Sequence, residues 1–371
     1  MAKVTIKRGR KGNTMKNKGV KILIILLIIL ILAAGGVLAY KIVKDKENKE
    51  VSNQAEENNV LTTGIEDKKV QIVQGNDRPI AVMIDNHNGA WPQAGLNQAY
   101  LVYEIIVEGG ETRLMALFKG ADVDKIGPVR SARHYFLDYA MENDAMYVHF
   151  GWSPQAQSDI KKYSIHNING IAEDGTTFWR VKDKAAPHNA VTSTEKIKQS
   201  AKNKNYRTTS DEKSVLNYVT KEVNLEQGKS AETITIPHSD LQTVTYEYDQ
   251  NNKVYKRYAR KKAQTDWVTG EPETTKNIII TFCENYTLTD KENKGRQGLK
   301  NIGTFDGYYI TNGKAIPIKC TKSARDEKTK YQDLDGNEIE VNDGNTWVNI
   351  CPPEAKVTIE GSENDSSTNN Q

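Results

Sequence analysis

An uninterrupted apolar segment near the amino terminus constrains this chain more than any other feature. Residues 22–40 carry no charge over 19 positions, with Lys21 before them and Lys41 after them. An α-helix of that length spans roughly 28 Å at ~1.5 Å per residue, close to the thickness of a bilayer's hydrocarbon core. The segment is apolar on every helical face, which is atypical of a helix in a soluble domain. We therefore expect one transmembrane helix at residues 22–40.

Flanking charge sets the orientation of this segment. Residues 1–21 hold eight basic residues and no acidic residue, so we expect a cytoplasmic amino terminus and a body outside the cell membrane. A cleaved secretory signal is the alternative, because small residues at 33–36 and 39 would suit a signal peptidase. Both interpretations make the body extracytoplasmic.

The composition of the body argues against several classes of partner. Residues 22–371 carry 43 basic and 48 acidic side chains, a mildly acidic balance. Domains that bind nucleic acid usually present a strongly basic surface, so we expect no nucleic-acid partner. The sequence also lacks phosphate-loop and dinucleotide fingerprints, and we expect no cofactor.

Local composition divides the body into four parts. Residues 41–77 are expected to be a disordered linker, because charged and amide side chains dominate residues 45–59. Residues 78–235 and 238–358 are expected to form two domains. Residues 359–371 are expected to be a disordered tail.

Alternating strand and helix signals predict that the first domain is α/β or α+β. Short apolar runs predict strands at residues 80–84, 101–107, 112–119 and 145–152. Ser131 is a good N-cap for a helix at 132–142, and Ser153 followed by Pro154 opens another. Thr192 and Glu195 have capping-box spacing and predict a third helix, to about Lys202.

The second domain is expected to be mostly β. Val244, Tyr246 and Tyr248 alternate with polar residues, and the run returns after a turn, which predicts a hairpin over residues 244–259. Further short strands, separated by Asn-Gly and Asp-Gly turns, are predicted at residues 277–283, 308–311, 315–319, 330–333 and 346–350.

A turn–strand–turn unit at residues 108–133 is the best candidate for a functional site. Arg113 leaves the first turn, whereas Arg130 and Arg133 flank Ser131 in the second. Guanidinium forks suit phosphate or carboxylate, and a helix beginning at Ser131 would add backbone N–H donors. We expect these residues to bind an anion, with His188 and Asn189 of a rigid loop as further donors. The structural alternative is that the arginines pair with Glu104, Glu108 or Glu111.

Catalysis and metal binding are weaker alternatives for the same region. Ser131 with His149 or His188 and an acid such as Asp85 could form a nucleophilic arrangement, although no nucleophile-elbow sequence is present. A metal could use the histidines with Asp85 and His87, in the polar turn that includes Asn86, but no paired-ligand spacing supports one and we expect no metal. His166 and His238 are expected to be ordinary surface residues.

The three cysteines, Cys283, Cys320 and Cys351, do not form a disulfide framework. An odd and sparse set favours three small apolar residues in a β-rich domain. One bridged pair with a third buried thiol is the alternative.

Several motifs together resemble the YerB-like family of bacterial lipoproteins. In chain order, they are RPIAVMI at 78–84, PQxGL at 92–96, VYE at 102–104, EGGxTR at 108–113, GPVRSAR at 127–133, APHN at 186–189, TGE at 269–271, NIII at 277–280 and GxTWV at 344–348. The resemblance covers about residues 78–355 and implies a two-domain extracytoplasmic protein of Gram-positive-type bacteria without an established activity. This chain departs from the family in having no lipid-accepting cysteine at its apolar segment, which favours a helical anchor.

From these features we expect a single-pass membrane protein with an outward-facing body. Its leading function would be binding of an anionic cell-envelope ligand or a partner protein, with Glu108 and Glu111 orienting the arginines. The alternative is an envelope-acting hydrolase or transferase that uses Ser131, Arg130, Arg133 and His188. Whether the body catalyses any reaction stays open.

Overall fold

The computed structural model describes residues 69–361, which are mostly β-strand with a few helices. The strands of the first half are, in chain order, β1 (Ile80–Asp85), β2 (Leu101–Ile106), β3 (Thr112–Phe118), β4 (Met146–His149), β5 (Asn167–Asn169), β6 (Trp179–Arg180), β7 (Ala190–Val191) and β8 (Asn217–Val219). The predicted strands of the first domain are all present, and their observed ends lie within a few residues of the predicted ones.

The second half contains strands and no α-helix among its described residues. In chain order they are β9 (Lys229–Ser230), β10 (Thr233–Pro237), β11 (Thr243–Asp249), β12 (Val254–Ala259), β13 (Lys262–Ala263), β14 (Thr274–Thr275), β15 (Asn277–Phe282), β16 (Asn285–Thr287), β17 (Gln297–Leu299), β18 (Gly303–Thr311), β19 (Lys314–Lys322), β20 (Lys330–Gln332), β21 (Glu340–Asn342), β22 (Thr346–Cys351) and β23 (Thr358–Glu360). The predicted hairpin is confirmed, since β11 and β12 pair antiparallel from Val244–Ala259 to Asp249–Val254.

Four α-helices and three short 3-10 helices complete the described fold. The α-helices are α1 (His134–Glu142), α2 (Pro154–Lys162), α3 (Gly170–Glu173) and α4 (Thr194–Asn203). The 3-10 helices are Asn88–Ala90, Leu96–Gln98 and Glu108–Gly110.

Two helix caps were predicted wrongly and one is confirmed. The N-cap of α1 is Arg133, and the hydroxyl of Ser131 donates instead to the carbonyl of Phe150, because residues 128–130 run as an extended segment. The N-cap of α4 is Ser193, whose hydroxyl accepts from the backbone N–H of Lys196, so Thr192 opens no capping box. Ser153 caps α2 as predicted.

One large sheet runs through both halves of the body. Its strand order is β20-β19-β18-β15-β22-β2-β3-β1-β4-β5, with β9 beside β19. The late strand β22 lies between β15 and β2 and is parallel to both, so that Val102 and Ile278 both face Trp347 in register. All six residues of β22 are buried, as expected of a central parallel strand covered on both faces.

Each face of the large sheet carries its own hydrophobic layer. Helices α1 and α2 cover one face, where Tyr135 and Ile160 pack with Met83 and Tyr103. Helix α4 and a second sheet, ordered β13-β12-β11-β10-β23 with β14 on β12, cover the other face. The body is therefore a layered structure in which the second sheet packs over the middle of the large one.

The described residues 69–361 lie in one compact unit, and the predicted boundary between the two domains falls near residue 236. The large sheet crosses that boundary through β22, whereas the second sheet draws its strands from residues beyond 232. The last part of the predicted linker also contacts the fold, because the backbone N–H groups of Gln71 and Ile72 donate to the carboxylate of Asp343.

The predicted membrane helix at residues 22–40 lies outside the described residues, as do residues 1–21 and most of the predicted linker and tail. Within residues 69–361, no helix combines the length and apolar character needed to cross a bilayer.

All three cysteines are free and buried, as the simpler prediction had it. Burial raises the pKa of Cys320 and of Cys351 to about 12, and that of Cys283 further still. The thiols are therefore protonated at neutral pH and act as small apolar side chains.

Replacing Trp347 with alanine should destabilise the whole described body. Its side chain is 1% exposed in the central strand β22, and removing a buried Trp costs about 3–5 kcal/mol. Because β22 joins both halves, circular dichroism and fluorescence should lose signal in one common urea transition. The control Ile302→Ala, at a side chain 46% exposed, should change stability by less than about 0.5 kcal/mol. Two separated transitions in Trp347→Ala would contradict this coupling.

Candidate functional site

The candidate site lies where the large sheet splits open at the carboxyl ends of β1 and β4. These strands pair only from Ile80 to Val82. Beyond that point residues 128–130 enter between them: the N–H of Arg130 donates to Met83 O at 2.9 Å, and the N–H of Phe150 donates to Arg130 O at 2.9 Å. Open α/β sheets commonly bind ligands in such a crevice beyond the carboxyl ends of parallel strands.

The inserted segment at residues 128–130 is called the wedge below, and glycine at position 127 is required for it. Its φ is +137°, and a Cβ there would lie 2.9 Å from the N atom of Val129 and 3.1 Å from Ala190 O. The N–H of Val129 donates to that same Ala190 carbonyl at 2.7 Å. A side chain at position 127 would therefore push the wedge out of the sheet.

Asp85, the last residue of β1, is the centre of the crevice. Its Oδ2 lies 2.6 Å from Nδ1 of His188 and 3.0 Å from Nε of Arg130. A carboxylate only accepts, so Nδ1 of His188 carries the hydrogen and Nε2 faces away from Asp85. The Arg130 contact is an ion pair without the alignment of a hydrogen bond. Sequence reasoning proposed Asp85 only as a member of a catalytic or metal set.

Arg113 lies opposite Asp85 in the β1–β3 register and is almost fully buried. Its Nη1 donates to the carbonyl oxygen of Ser131 at 2.6 Å, which ties β3 to the wedge. Burial and the nearby charge of Arg133, partly offset by Asp85, lower the pKa of Arg113 to about 10. Burial is the main cause, because removal from water disfavours the charged guanidinium, and the neighbouring arginine charges act in the same direction.

Arg133 is held by a two-pronged ion pair with Glu108. Its Nε and one Nη lie 2.6 Å and 2.8 Å from the two carboxylate oxygens. Burial would raise the pKa of Glu108, but the hydrogen bond and charge of Arg133 outweigh it and the pKa lies below its usual value. This pair matches the structural alternative for Arg133 and also the predicted orienting role of Glu108.

Two histidines stack at the mouth of the crevice. The rings of His87 and His188 are nearly parallel, with centroids 4.5 Å apart. Nδ1 of His87 accepts from the N–H of Gly89, so that nitrogen carries a lone pair. The His188 imidazole is therefore oriented by two contacts, the hydrogen bond to Asp85 and the stack on His87.

Three other predicted residues have their hydrogen-bond or ionic partners outside the set of Asp85, Arg130 and His188. Nδ1 of His149 lies 2.7 Å from Gly151 O and Nε2 lies 3.2 Å from Asn167 Oδ1, while burial lowers the pKa of His149. Oδ1 of Asn189 accepts from Arg180 at 2.9 Å. Glu111 is paired with Arg260, which belongs to the second sheet's turn.

Glu104 and Asn86 belong to a polar cluster buried between the two sheets. Glu104 and its partner Arg257 on β12 are 0% and 1% exposed. Glu104 accepts a hydrogen bond from Thr112 at 2.7 Å and another from Asn86 at 3.2 Å. Burial alone would raise the pKa of Glu104, but the charges of Arg257 and His238 and these hydrogen bonds hold it below its usual value. Asn86 therefore joins the crevice turn to this cluster.

Sequence reasoning missed Arg257 and misplaced His238. Tyr255, Arg257 and Ala259 are alternate residues of β12, and all three are buried on one face of that strand. The period-two pattern that predicted the hairpin could have identified Arg257 as inward-facing. His238 is buried beside the pair rather than exposed, and burial lowers its pKa.

Several buried polar atoms in this cluster have no hydrogen-bond partner among residues 69–361. They are Oε1 of Gln242, Nη1 of Arg257, Oε1 of Gln264 and Oε1 of Glu273. Burial and the charge of Asp266, partly offset by Arg257, raise the pKa of Glu273 to about 8. Glu273 is thus a neutral acid at pH 7 in the folded protein.

The crevice brings together only part of the residues predicted for metal binding or for a serine nucleophile. No cluster of three His, Cys, Asp or Glu ligands occurs in the described part of the chain. Asp85 and His188 come together as predicted, but the hydroxyl of Ser131 donates to Phe150 O at 3.0 Å and not to a histidine. Of the predicted Ser–His–Asp set, the His–Asp contact is therefore present and the Ser–His contact is not.

Comparison with known proteins places two family models on this chain. The family described as "Protein of unknown function (DUF3048) N-terminal domain" matches residues 62–207, and the corresponding C-terminal domain matches residues 234–348. A relative from Bacillus subtilis (strain 168), named "Putative lipoprotein YerB", is 30% identical over 284 residues, which cover 74% of this chain and 81% of the relative. The crystal structure of YerB from Bacillus subtilis is similar with a TM-score of 0.69 at 29% identity, covering 78% of this chain and 96% of that one.

Glu273→Gln should change how stability depends on pH. The folded protein keeps the Glu273 proton up to about pH 8, whereas an unfolded glutamic acid loses it near 4.5. The wild type therefore loses stability as pH rises through this window, because folding then requires proton uptake. Gln keeps the neutral shape, so the variant should gain up to about 2 kcal/mol relative to wild type between pH 6 and pH 8. Urea unfolding at pH 6, 7 and 8 measures this.

The matched control is Glu284→Gln, at an exposed carboxylate paired with Lys300. Its pH profile should run parallel to that of the wild type. If Glu273→Gln also runs parallel to the wild type, Glu273 does not carry the proton.

Proposed function

This chain belongs to the DUF3048 family of YerB-like proteins, and from that premise we propose that it binds an anionic cell-envelope ligand in the crevice at Asp85. The relative's name, which refers to a lipoprotein, supports a membrane-anchored body outside the cell. In this chain a helix at residues 22–40 would be the anchor, since that segment contains no cysteine to accept a lipid. The ligand would be a phosphate or carboxylate group of a wall polymer or lipid-linked precursor.

The observation that carries this proposal is that the Arg130 side chain is partly exposed and its guanidinium makes no hydrogen bond among the described residues. Its side chain is 26% exposed and its only ionic partner among the described residues is Asp85, which His188 shares. Its guanidinium donates no hydrogen bond within residues 69–361. A planar fork with free N–H donors at the mouth of a crevice is suited to a phosphate or carboxylate.

Charge balance supports the same ligand class. Arg113, Arg130 and Arg133 share the crevice with two carboxylates, those of Asp85 and Glu108, which leaves one positive charge before His188 is counted. An incoming anion would balance that charge. Glu108 holds Arg133 in place, and the carbonyl oxygen of Ser131 holds Arg113.

Arg130→Ala should weaken binding of poly(glycerol phosphate) by tenfold or more. A charge-assisted hydrogen bond contributes about 1.5–3 kcal/mol, and each 1.4 kcal/mol is tenfold in affinity. Titration calorimetry at low and high salt measures the loss, and the wild-type affinity should fall with salt. The control Arg296→Ala removes another partly buried arginine, which pairs with Asp290 and Glu292, and it should bind as the wild type does. Equal affinity in Arg130→Ala would rule out this crevice.

A second candidate function rests on the contact between Asp85 and His188. A carboxylate bonded to Nδ1 orients a histidine so that Nε2 can exchange a proton with a bound water, as in many general acid–base sites. The function would be hydrolysis or transfer at a phosphodiester or ester held by the arginines. Ser131 would then be a structural residue.

Under this second function, His188→Gln should abolish release of glycerol phosphate from the polymer while retaining polymer binding. Ser131→Ala should release product at the wild-type rate, because its hydroxyl is committed to Phe150 O. Product release is followed by mass spectrometry against a no-protein blank. A wild type that releases nothing above the blank would exclude this reaction, and binding alone would remain.

A further inference from the structure

A second cavity, of about 700 Å³, opens at the other end of the large sheet. It lies beside the first residue of β1, the first of β4 and the last of β3, next to helix α4. Its lining residues are Asp77, Arg78, Ile80, Phe118, Gly120, Ala121, Met146, Lys198, Lys202, Asn205, Tyr206 and Thr208. Ile80 and Asp85 are five strand steps apart, so the cavity lies roughly 17 Å from the crevice at ~3.3 Å per residue.

The floor of this cavity is apolar and rigid. Ile80, Phe118 and Met146 belong to the buried layer of the large sheet, and each is held by strand pairing. Tyr206 forms one wall, with its ring stacked 4.3 Å from that of His166 at an angle of 5°. A preformed apolar surface of this size suits an alkyl or aryl group.

Two lysines give the cavity a cationic rim. Lys198 and Lys202 lie four residues apart on α4, where side chains of like charge face each other and repel. Lys198 approaches only Asp122, at 3.4 Å, and that carboxylate is 93% exposed and well screened. Lys202 has no ionic partner in the described part of the chain.

The other charges of the lining do not neutralise these lysines. Arg78 is fixed in the wall, where its Nε donates to Asp144 O at 2.8 Å and its charge faces the Asp144 carboxylate at 3.5 Å. Asp77 is the one acid among the lining residues. With Arg78 paired to Asp144, the lining carries two further cations, Lys198 and Lys202, and one acid, Asp77, around an apolar floor.

We propose that this cavity binds an amphiphile with one alkyl chain and a single anionic head, either a carboxylate or a phosphate monoester. The chain would lie on Ile80, Phe118 and Met146, and the head would lie between Lys198 and Lys202. An anion between these two ammonium groups removes their mutual repulsion, and the alkyl chain covers the part-exposed side chains of Ala121 and Tyr206 at the same time.

Binding is measured by titrating the full-length protein with decanoate, decyl phosphate or decanol. The titrations are done in detergent-free buffer or in nanodiscs, with empty discs as the blank. Lys198→Ala with Lys202→Ala should weaken binding of both anions by tenfold or more and leave decanol unchanged. Ala121→Phe, which fills the cavity, should reduce binding of all three. The matched control Lys161→Ala with Lys162→Ala removes two lysines from the last turn of α2 and should bind as the wild type does.

The two anionic heads are distinguished by their relative affinity in the wild type, and tighter binding of either one supports the proposal. Three results would overturn it: no binding of either anion, decanol binding as tightly as the anions, or loss of anion binding in Arg130→Ala but not in the lysine pair. The last result would assign the anion to the crevice instead. Since Arg130→Ala leaves this cavity intact, the two sites are tested independently.

Discussion

The buried ion pair between Glu104 and Arg257 is the interaction on which the arrangement of the body depends. Glu104 lies in the middle of β2, where a charge without partners would be strongly unfavourable. Arg257 reaches it from the second sheet, over the ring of Trp347 at 4.4 Å from the centroid. Breaking a buried pair by removing one partner destabilises a protein by about 3–5 kcal/mol. The two sheets can therefore pack in only one alignment without leaving a charge unpaired.

The same cluster supports the crevice from beneath. Asn86 donates to Glu104 and Thr112, and its Oδ1 accepts from Gln93 at 2.9 Å and Trp91 at 3.2 Å. Asn86 directly follows Asp85, so the turn that carries the central acid of the crevice is held by a buried network. The inserted segment at residues 128–130 fixes the opposite side. A site supported on both sides in this way keeps its geometry before any ligand arrives.

Much of the local structure could be predicted because it depends on near neighbours in the chain. The hairpin of β11 and β12, the strand at β1 and the Ser153 cap follow from side-chain alternation, an apolar run and a polar hydroxyl before Pro154. The Ser131 cap failed because the wedge at residues 128–130 takes that hydroxyl to Phe150, a contact that no local pattern contains. The motif resemblance to the YerB-like family is confirmed by the family matches. Arg130 and His188 were selected from their chemistry, but their common partner Asp85 could only be recognised once the strands were paired.

The sequence by itself determined the strand-rich character of the body, the turns between strands and the family, because these depend on local periodicity and on motifs read along the chain. Only the tertiary structure decided which charges meet. Arg257 and Glu104 are 153 residues apart, and His188 and Asp85 are 103 residues apart. Partners at such separations are selected by burial, since a charge removed from water must find its counter-charge wherever packing of the sheets brings one. The same packing left Lys202 without an ionic partner and the Arg130 guanidinium without a hydrogen bond among residues 69–361, and the order of residues along the chain does not reveal either feature.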